Sequence, residues 1–412
     1  MVYTHIYIAY NSGKMNNMSK KLKKIFMAIG EVSGDMYGAA VIKALNEKSG
    51  DGMTLDIKCL GGDRMRRENT DILYNSVRWS SIGLIEALKR TPKLYLIYLK
   101  LKKVIKDWKP DVIVLIDYPG FNMFLARYAK KLGIPTLYYF PPAKWSEDPR
   151  DVEEAAECIY KVAATFKSTY DLYKSANGNV EFVGHPLIDI VKPRYEKNKL
   201  IRSIGFDPEK PIVGLLPGSR YQEVKDLLPH LREMSVFIKK NMKDVQFVVP
   251  LALDTYSTIK TSFRNFNAYI ESWQEEINMK VLIDMTYDVM NISDVMIVAS
   301  GTATLEASIL EKPIAIIYKV SRATETVARL TRKFPPFFGA PNLIMGRCVV
   351  PEFLQNDLQS DAVAAEIISM IEDKEKNKRI KKDLRKVREM LGEPGSAHRV
   401  AEIILKIINP NI

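Results

Sequence analysis

The sequence predicts an α/β fold built from two parallel-sheet units, and three observations carry that prediction. From Lys24 onward, short and almost wholly apolar runs alternate with longer helical patterns, as expected for strands buried on both faces of a sheet. The alternation pauses at a polar, proline-containing stretch (192–211) and then restarts with the same layout. The length, 412 residues, suits two or three domains of roughly 150 residues each.

Taken in order, KIFMAIG (24–30) reads as a strand, followed by a glycine-containing turn and a helix from about Met36. DIKCLGG (56–62), DVIVLID (111–117), TLYYF (136–140), KVAATF (161–166) and VEFVG (180–184) add strands to the first unit. The second unit repeats the pattern with PIVGLLPGSR (211–220), VQFVVPL (245–251), KVLID (280–284), VMIVASGTATLE (295–306) and PIAIIYK (313–319). HRVAEIILKIINP (398–410) reads as an amphipathic helix. The expected domains are a tail (1–23), an N-terminal unit (24–198), a C-terminal unit (199–385) and a helical segment (386–412) that packs on either unit.

Cys59, Cys158 and Cys348 lie far apart, and the four histidines are equally scattered. A disulfide scaffold and a thiolate or histidine-rich metal centre are therefore excluded, and a reducing cytoplasm is expected. No apolar run reaches the length of a membrane span, and the first residues lack the pattern of a secretion signal. The net charge of +12 is concentrated in three strips: 1–24 (+5), 87–109 (+7) and 373–389 (+5). In the middle strip, leucines and isoleucines alternate with lysines, and Tyr95, Tyr98 and Trp108 punctuate them. It reads either as a core-packed helix with a solvated lysine face or as a helix lying on an anionic lipid surface. Nucleic acid is not expected as a partner, because no binding motif or stacking pattern accompanies the charge.

Five motifs carry chemistry. GEVSGD (30–35) follows the first strand and offers Glu31 and Ser33 at its carboxyl end, or else is a plain strand–helix turn. Asp117 ends the third apolar strand, either as a helix cap or as a carboxylate aimed into a cleft, where desolvation would suit it to be a general base. LLPGSR places Gly218, Ser219 and Arg220 where a backbone can approach a phosphate and a cation can pair with it. ASGTATLEAS repeats the layout with Ser300, Gly301 and Thr302, and Glu306 stands one turn into the helix, as a ribose ligand or as a capping partner of Thr302. His185 follows VEFVG beside the inter-unit linker, as a proton carrier or a structural hinge residue. PNLIMGR (341–347) adds Asn342 and Arg347 and is uninformative alone.

Together these motifs resemble the lipid-A-disaccharide synthase family. The matching segments are GEVSGD, Gly61–Met65, KPDVIVLIDYPGFN, VEFVGHPL, LLPGSRYQEV, SGTATLE, PNLIMGR and PEFLQ, spread over about residues 24–408. The resemblance implies a GT-B glycosyltransferase, with two Rossmann-like domains facing a cleft. Such enzymes join a UDP-linked 2,3-diacylglucosamine to 2,3-diacylglucosamine 1-phosphate, invert the anomeric centre and release UDP. No metal or cofactor is implied, the UDP-sugar being a substrate. The family is peripheral to the inner face of the cytoplasmic membrane, and its homodimers exchange C-terminal segments. By resemblance, Asp117 matches the essential aspartate, and Glu31 and Ser33 match polar residues of the family's GExSGD turn; the base is Asp117 or Glu31, and Asp117 is taken for it. Arg220, Glu306 and Asn342 take nucleotide-site positions. The segment 140–157 keeps Trp145 but is acidic where the family is usually basic and tryptophan-rich. The alternatives are therefore a relative using another glycolipid acceptor, or a UDP-N-acetylglucosamine 2-epimerase of the same fold.

Overall fold

The structure is a computed structural model that describes residues 21–30, 32–50, 53–76, 84–141, 149–262, 265–318, 336–354 and 358–410. The first unit runs β1 (Lys21–Ile29), α1 (Val32–Lys48), β2 (Met53–Gly61), α2 (Asp63–Arg67), β3 (Asp71–Asn75) and α3 (Leu84–Trp108). It continues through β4 (Val112–Ile116), α4 (Pro119–Lys131), β5 (Thr136–Tyr139), α5 (Pro149–Cys158), β6 (Lys161–Ala164), α6 (Lys167–Ser175), β7 (Val180–Phe182) and α7 (Leu187–Ile190). The second unit holds α8 (Lys197–Ser203), β8 (Ile212–Leu216), α9 (Tyr221–Asn241), β9 (Gln246–Leu251), α10 (Leu253–Ser262) and α11 (Phe266–Glu276). Beyond these come β10 (Met279–Ile283), α12 (Thr286–Ile292), β11 (Val295–Ala299), α13 (Thr302–Ile309), β12 (Ile314–Tyr318) and β13 (Glu352–Leu354). Four further helices span Ala340–Met345, Ser360–Glu372, Lys374–Met390 and Ser396–Ile408.

Strands order as β3-β2-β1-β4-β5-β6-β7 in one sheet and β10-β9-β8-β11-β12-β13 in the other, and every pairing is parallel. The expected two-unit α/β fold is thus present. In each sheet the chain leaves the first central strand in one direction and returns on its other side. That reversal opens a crevice between β1 and β4 in one sheet and between β8 and β11 in the other. Ligands of doubly wound sheets bind there, at the carboxyl ends of the strands. The central strands β4, β8 and β11 are buried throughout, which explains their uninterrupted apolar sequences.

Two boundaries differ from expectation. Lys21–Lys23 belong to β1 rather than to a tail, because they pair with Met53–Leu55 and the Lys23 ammonium is buried against the Ile408 carbonyl and 3.6 Å from Asp111. The break expected at 198/199 falls inside α8, whose Leu200 and Ile201 pack with Phe206, Val248 and Ile292 of the second unit. The chain therefore crosses between units just before α8. The break expected at 385/386 lies within one continuous helix, Lys374–Met390, whose two halves serve different cores. Helix Lys374–Met390 buries Ile380 and Leu384 in the second core and Val387 in the first. Helix Ser396–Ile408 then lays Val400, Ile404 and Ile408 against the first sheet of its own chain. Ser396 and Tyr139 join their hydroxyls at 2.8 Å, and Asp189 accepts from the backbone of Gly395 and Ser396.

The basic helix α3 has a buried face and an exposed one. Ile97, Leu101 and Ile105 are buried in the core, while Tyr95 (60%), Leu96 (59%) and Leu99 (41%) stand exposed beside Lys100 and Lys103. Phe124 of α4 extends that surface, 52% exposed and 5.9 Å from the Tyr98 ring. Among the described residues no helix is long and apolar enough to cross a membrane.

Candidate active site

Asp117 follows β4 at the reversal point of the first sheet and is half-buried. It and Tyr118 both adopt left-handed backbone angles, φ 53° and 52°. Each such residue costs about 1–2 kcal/mol, so the loop needs fixing from outside. The Asp117 N–H donates to the Tyr139 carbonyl at 3.0 Å, and the Asp117 carbonyl accepts from Tyr138 OH at 2.9 Å and Asn122 Nδ2 at 2.7 Å. No side-chain cap begins α4; its N-cap is Tyr118. The capping role open to Asp117 is therefore not the one it takes.

The GEVSGD turn meets this loop directly. A Cβ on Gly30 would lie 2.1 Å from the Tyr118 ring, so only glycine allows the two strand ends to touch. Ser33 sits half-buried in the first turn of α1, and Glu31 lies outside the described residues. Asp35 serves the scaffold, its carboxylate accepting from the backbone N–H groups of Gly62, Arg64 and Met65. It thereby ties the turn after β1 to the glycine pair after β2.

In the second sheet the glycines do what their spacing predicts. Gly218 has φ 105°, and a Cβ there would come within 2.6 Å of Glu223. Gly301 has φ 155° at the start of α13. Ser219 is fixed by Thr255, whose hydroxyl donates to its carbonyl at 2.6 Å, and Ser300 donates to the Phe338 carbonyl at 3.1 Å. Arg220 begins α9 and pairs with Glu223 at 2.8 Å, which holds its guanidinium at the loop. Thr302 is exposed in the first turn of α13. The N-termini of α9 and α13 thus lie together at the β8/β11 crevice, where the positive ends of the two helices favour an anion.

Glu306 is not a capping partner of Thr302. It accepts from Tyr287 OH at 3.2 Å, and burial raises its carboxyl to about 7, with Tyr287 and Arg64 opposing the shift. Arg64 comes from α2 of the other unit. Tyr37 of α1 lies within electrostatic reach of Glu306, Tyr287 and Asp117 together, and burial drives its hydroxyl pKa well above 10. Leu305 and Ile309 of α13 pack into the core of the first unit. The two crevices therefore face each other across one cleft.

Two expected site residues turn out to be scaffold. Asn342 is fully buried and its amide is spent on the protein: Nδ2 donates to the Val350 carbonyl and to Glu352, both at 2.7 Å, while Oδ1 accepts from Val349 and Val350 N–H. Nothing is left to hold a nucleotide, so Asn342 shapes the loop beside Ser300 instead. Burial among Tyr37, Phe140 and Phe166 depresses the His185 pKa to about 3. The ring stays neutral, accepts from Leu187 N–H at 3.2 Å, and carries no proton near neutral pH. It is the hinge residue of the two readings. Likewise Arg347 binds Asp383 at 2.7 Å. Of the acidic segment 140–157, residues 142–148, with Trp145, lie outside the described residues. Among the described residues no group of three or more His, Cys, Asp or Glu is placed to hold a metal.

Sequence reasoning missed Asn122, Tyr138, Tyr37, Arg64 and Tyr287. Asn122, the last residue of the segment KPDVIVLIDYPGFN, and Arg64, within Gly61–Met65, had a local signal, and the three tyrosines had none.

Comparison with known proteins agrees with this arrangement. The family model for lipid-A-disaccharide synthetase matches residues 25–408. A lipid-A-disaccharide synthase from Geobacter sulfurreducens is 34% identical over 390 residues, covering 94% of this chain and 98% of its own. One from Persephonella marina is 34% identical, covering 94% and 99%. Among solved structures, the UDP-GlcNAc 2-epimerase from Neisseria meningitidis, bound to UDP-GlcNAc, gives a TM-score of 0.55 at 14% identity, covering 94% of this chain and 100% of its own. A glycosyltransferase from Rickettsia africae gives 0.52 at 16%, covering 95% and 99%. At such identities these structures speak for the GT-B type of fold alone. With motifs, fold and family model in agreement over nearly its whole length, this chain belongs to the lipid-A-disaccharide synthase family of glycosyltransferases.

Proposed function

We propose that the protein transfers 2,3-diacylglucosamine from UDP to 2,3-diacylglucosamine 1-phosphate with inversion, releasing UDP. The observation that carries this reading is the opposition of two strand-end crevices, one presenting a carboxylate and the other two glycine-opened helix N-termini. The acceptor's 6-hydroxyl oxygen attacks the anomeric carbon from the face opposite UDP. Asp117 takes the hydroxyl proton, and the bond from the anomeric carbon to the diphosphate breaks with its electrons passing to UDP. The N–H groups at the starts of α9 and α13, with Arg220, stabilise the charge that gathers on the departing diphosphate. Gly218, Ser219, Ser300, Gly301 and Thr302 let the backbone approach it, and Glu306 receives the ribose hydroxyls. No metal or other cofactor enters this scheme.

The exposed face of α3 supports a site of action at an anionic bilayer. Tyr95, Leu96, Leu99 and Phe124 offer apolar contact, and Lys100, Lys103 and Lys106 offer charge. The same aromatic series runs inward from Tyr98 to Phe121 and Tyr118, and so from lipid surface to catalytic loop. A homodimer with exchanged C-terminal helices belongs to the same reading.

The test supplies purified protein with the UDP-linked acyl sugar and the acyl sugar phosphate in anionic vesicles. Equimolar UDP and a β-linked disaccharide phosphate are expected by mass spectrometry and NMR. Epimerisation of UDP-N-acetylglucosamine without acceptor, and no disaccharide, would replace the transferase reading.

A further inference from the structure

Asn122 stands five residues beyond Asp117, in the first turns of α4, and is fully buried. Its side-chain nitrogen is directed at three carbonyl oxygens: Ala28 at the end of β1 (3.3 Å), Ile116 at the end of β4 (3.3 Å) and Asp117 itself (2.7 Å). These are the two strands between which the first crevice opens. One amide therefore bridges both walls of the crevice and grips the strained residue between them. The orientation is fixed by chemistry, since turning the amide over would set its oxygen against three carbonyls. Among the described residues its own Oδ1 has no partner although it is buried.

We infer that Asn122 is the positioning residue for Asp117, holding its left-handed backbone so that the carboxylate faces the acceptor hydroxyl. Tyr138 assists by donating to the same carbonyl at 2.9 Å. Asn122 touches neither substrate. It acts through the backbone of Asp117, and the inference rests on the proposed role of Asp117 as base.

The test is a double-mutant cycle of Asn122→Ser and Asp117→Asn, read as kcat, acceptor KM, UDP affinity and melting temperature. Asn122→Ser is expected to lower kcat 10- to 100-fold and to leave UDP affinity within twofold of wild type. In the Asp117→Asn background the same change is expected to lower kcat less than twofold, because no base remains to be positioned. A loss that persists in full in that background would make Asn122 a fold-stability residue and overturn the inference, as would a wild-type kcat in the single variant. If Asp117→Asn alone keeps the full rate, the assignment of the base falls instead. Should Asn122→Ser not fold, Asn122→Asp tests the point. It keeps the shape, and its ionised carboxyl loses the donor, so its kcat is expected to rise as pH falls and the carboxyl regains a proton. Parallel loss of kcat and UDP affinity at every pH would overturn the inference.

Discussion

The two halves of the cleft are built from the same sheet geometry but work through different parts of the chain. In the second unit Gly218 and Gly301 open two helix starts and present backbone, with Arg220 and Glu306 as the side chains beside it. In the first unit the left-handed positions are occupied by Asp117 and Tyr118, which retain side chains at a cost in strain. Under the proposed function, the lesson is that a binding half can be opened by glycines, whereas a reacting half must keep a side chain and hold it. The first half is tethered around that strain by three backbone N–H groups on Asp35, three carbonyls around Asn122, and the Tyr138 hydroxyl.

This contrast can be broken in four ways, from large effect to small. Asp117→Asn is expected to lower kcat by about 10²–10⁴ while UDP affinity, measured by calorimetry, stays unchanged. A weaker UDP complex would show that the halves are not separable. Asn342→Ala removes four hydrogen bonds from a buried loop and is expected to destabilise the protein by about 3 kcal/mol in urea unfolding. UDP binding by the remaining folded fraction should be nearly normal, and a selective loss of UDP binding at normal stability would return Asn342 to the ligand. Gly218→Val forces a β-branched residue to φ 105° and against Glu223, and should weaken UDP about 10- to 100-fold with kcat at saturating donor little altered. Smallest is the response of Glu306→Gln to pH. Burial raises the folded carboxyl to about 7, above its unfolded value near 4.5, so ionisation costs the wild type stability as pH climbs through that window. The Gln variant has no such cost. Its stability relative to wild type should rise between about pH 4.5 and 7 and level off above, and a flat difference would place the Glu306 carboxylate in water.

Much of this was legible in the sequence, for identifiable reasons. Central strands β4, β8 and β11 are buried on both faces and therefore read as unbroken apolar runs. Gly218 and Gly301 were legible because their backbone angles leave little choice of residue. The short edge strands β3 and β13 were not, since DILYN and EFL carry polar residues and only half an apolar face. Asn342 and His185 misled because a polar residue in a loop reads alike whether it bonds a ligand or a neighbouring backbone; burial separates the cases. The cluster of Tyr37, Arg64, Tyr287 and Glu306 was hidden because four segments from two units converge only in space. The basic helix α3 gave two readings because its apolar residues divide between a buried seam and an outer face.

The returning C-terminal helix sets the order in which the molecule can be completed during synthesis. Val400, Ile404 and Ile408 fill the inner face of the first sheet, and Ser396 bonds Tyr139 within it. That sheet cannot close its core until residues near 408 have emerged from the ribosome. The core of the second unit has all its buried residues once Leu384 has been made. The half translated later is thus the half whose core is complete first, and the first sheet is covered only when the chain has looped back over both units.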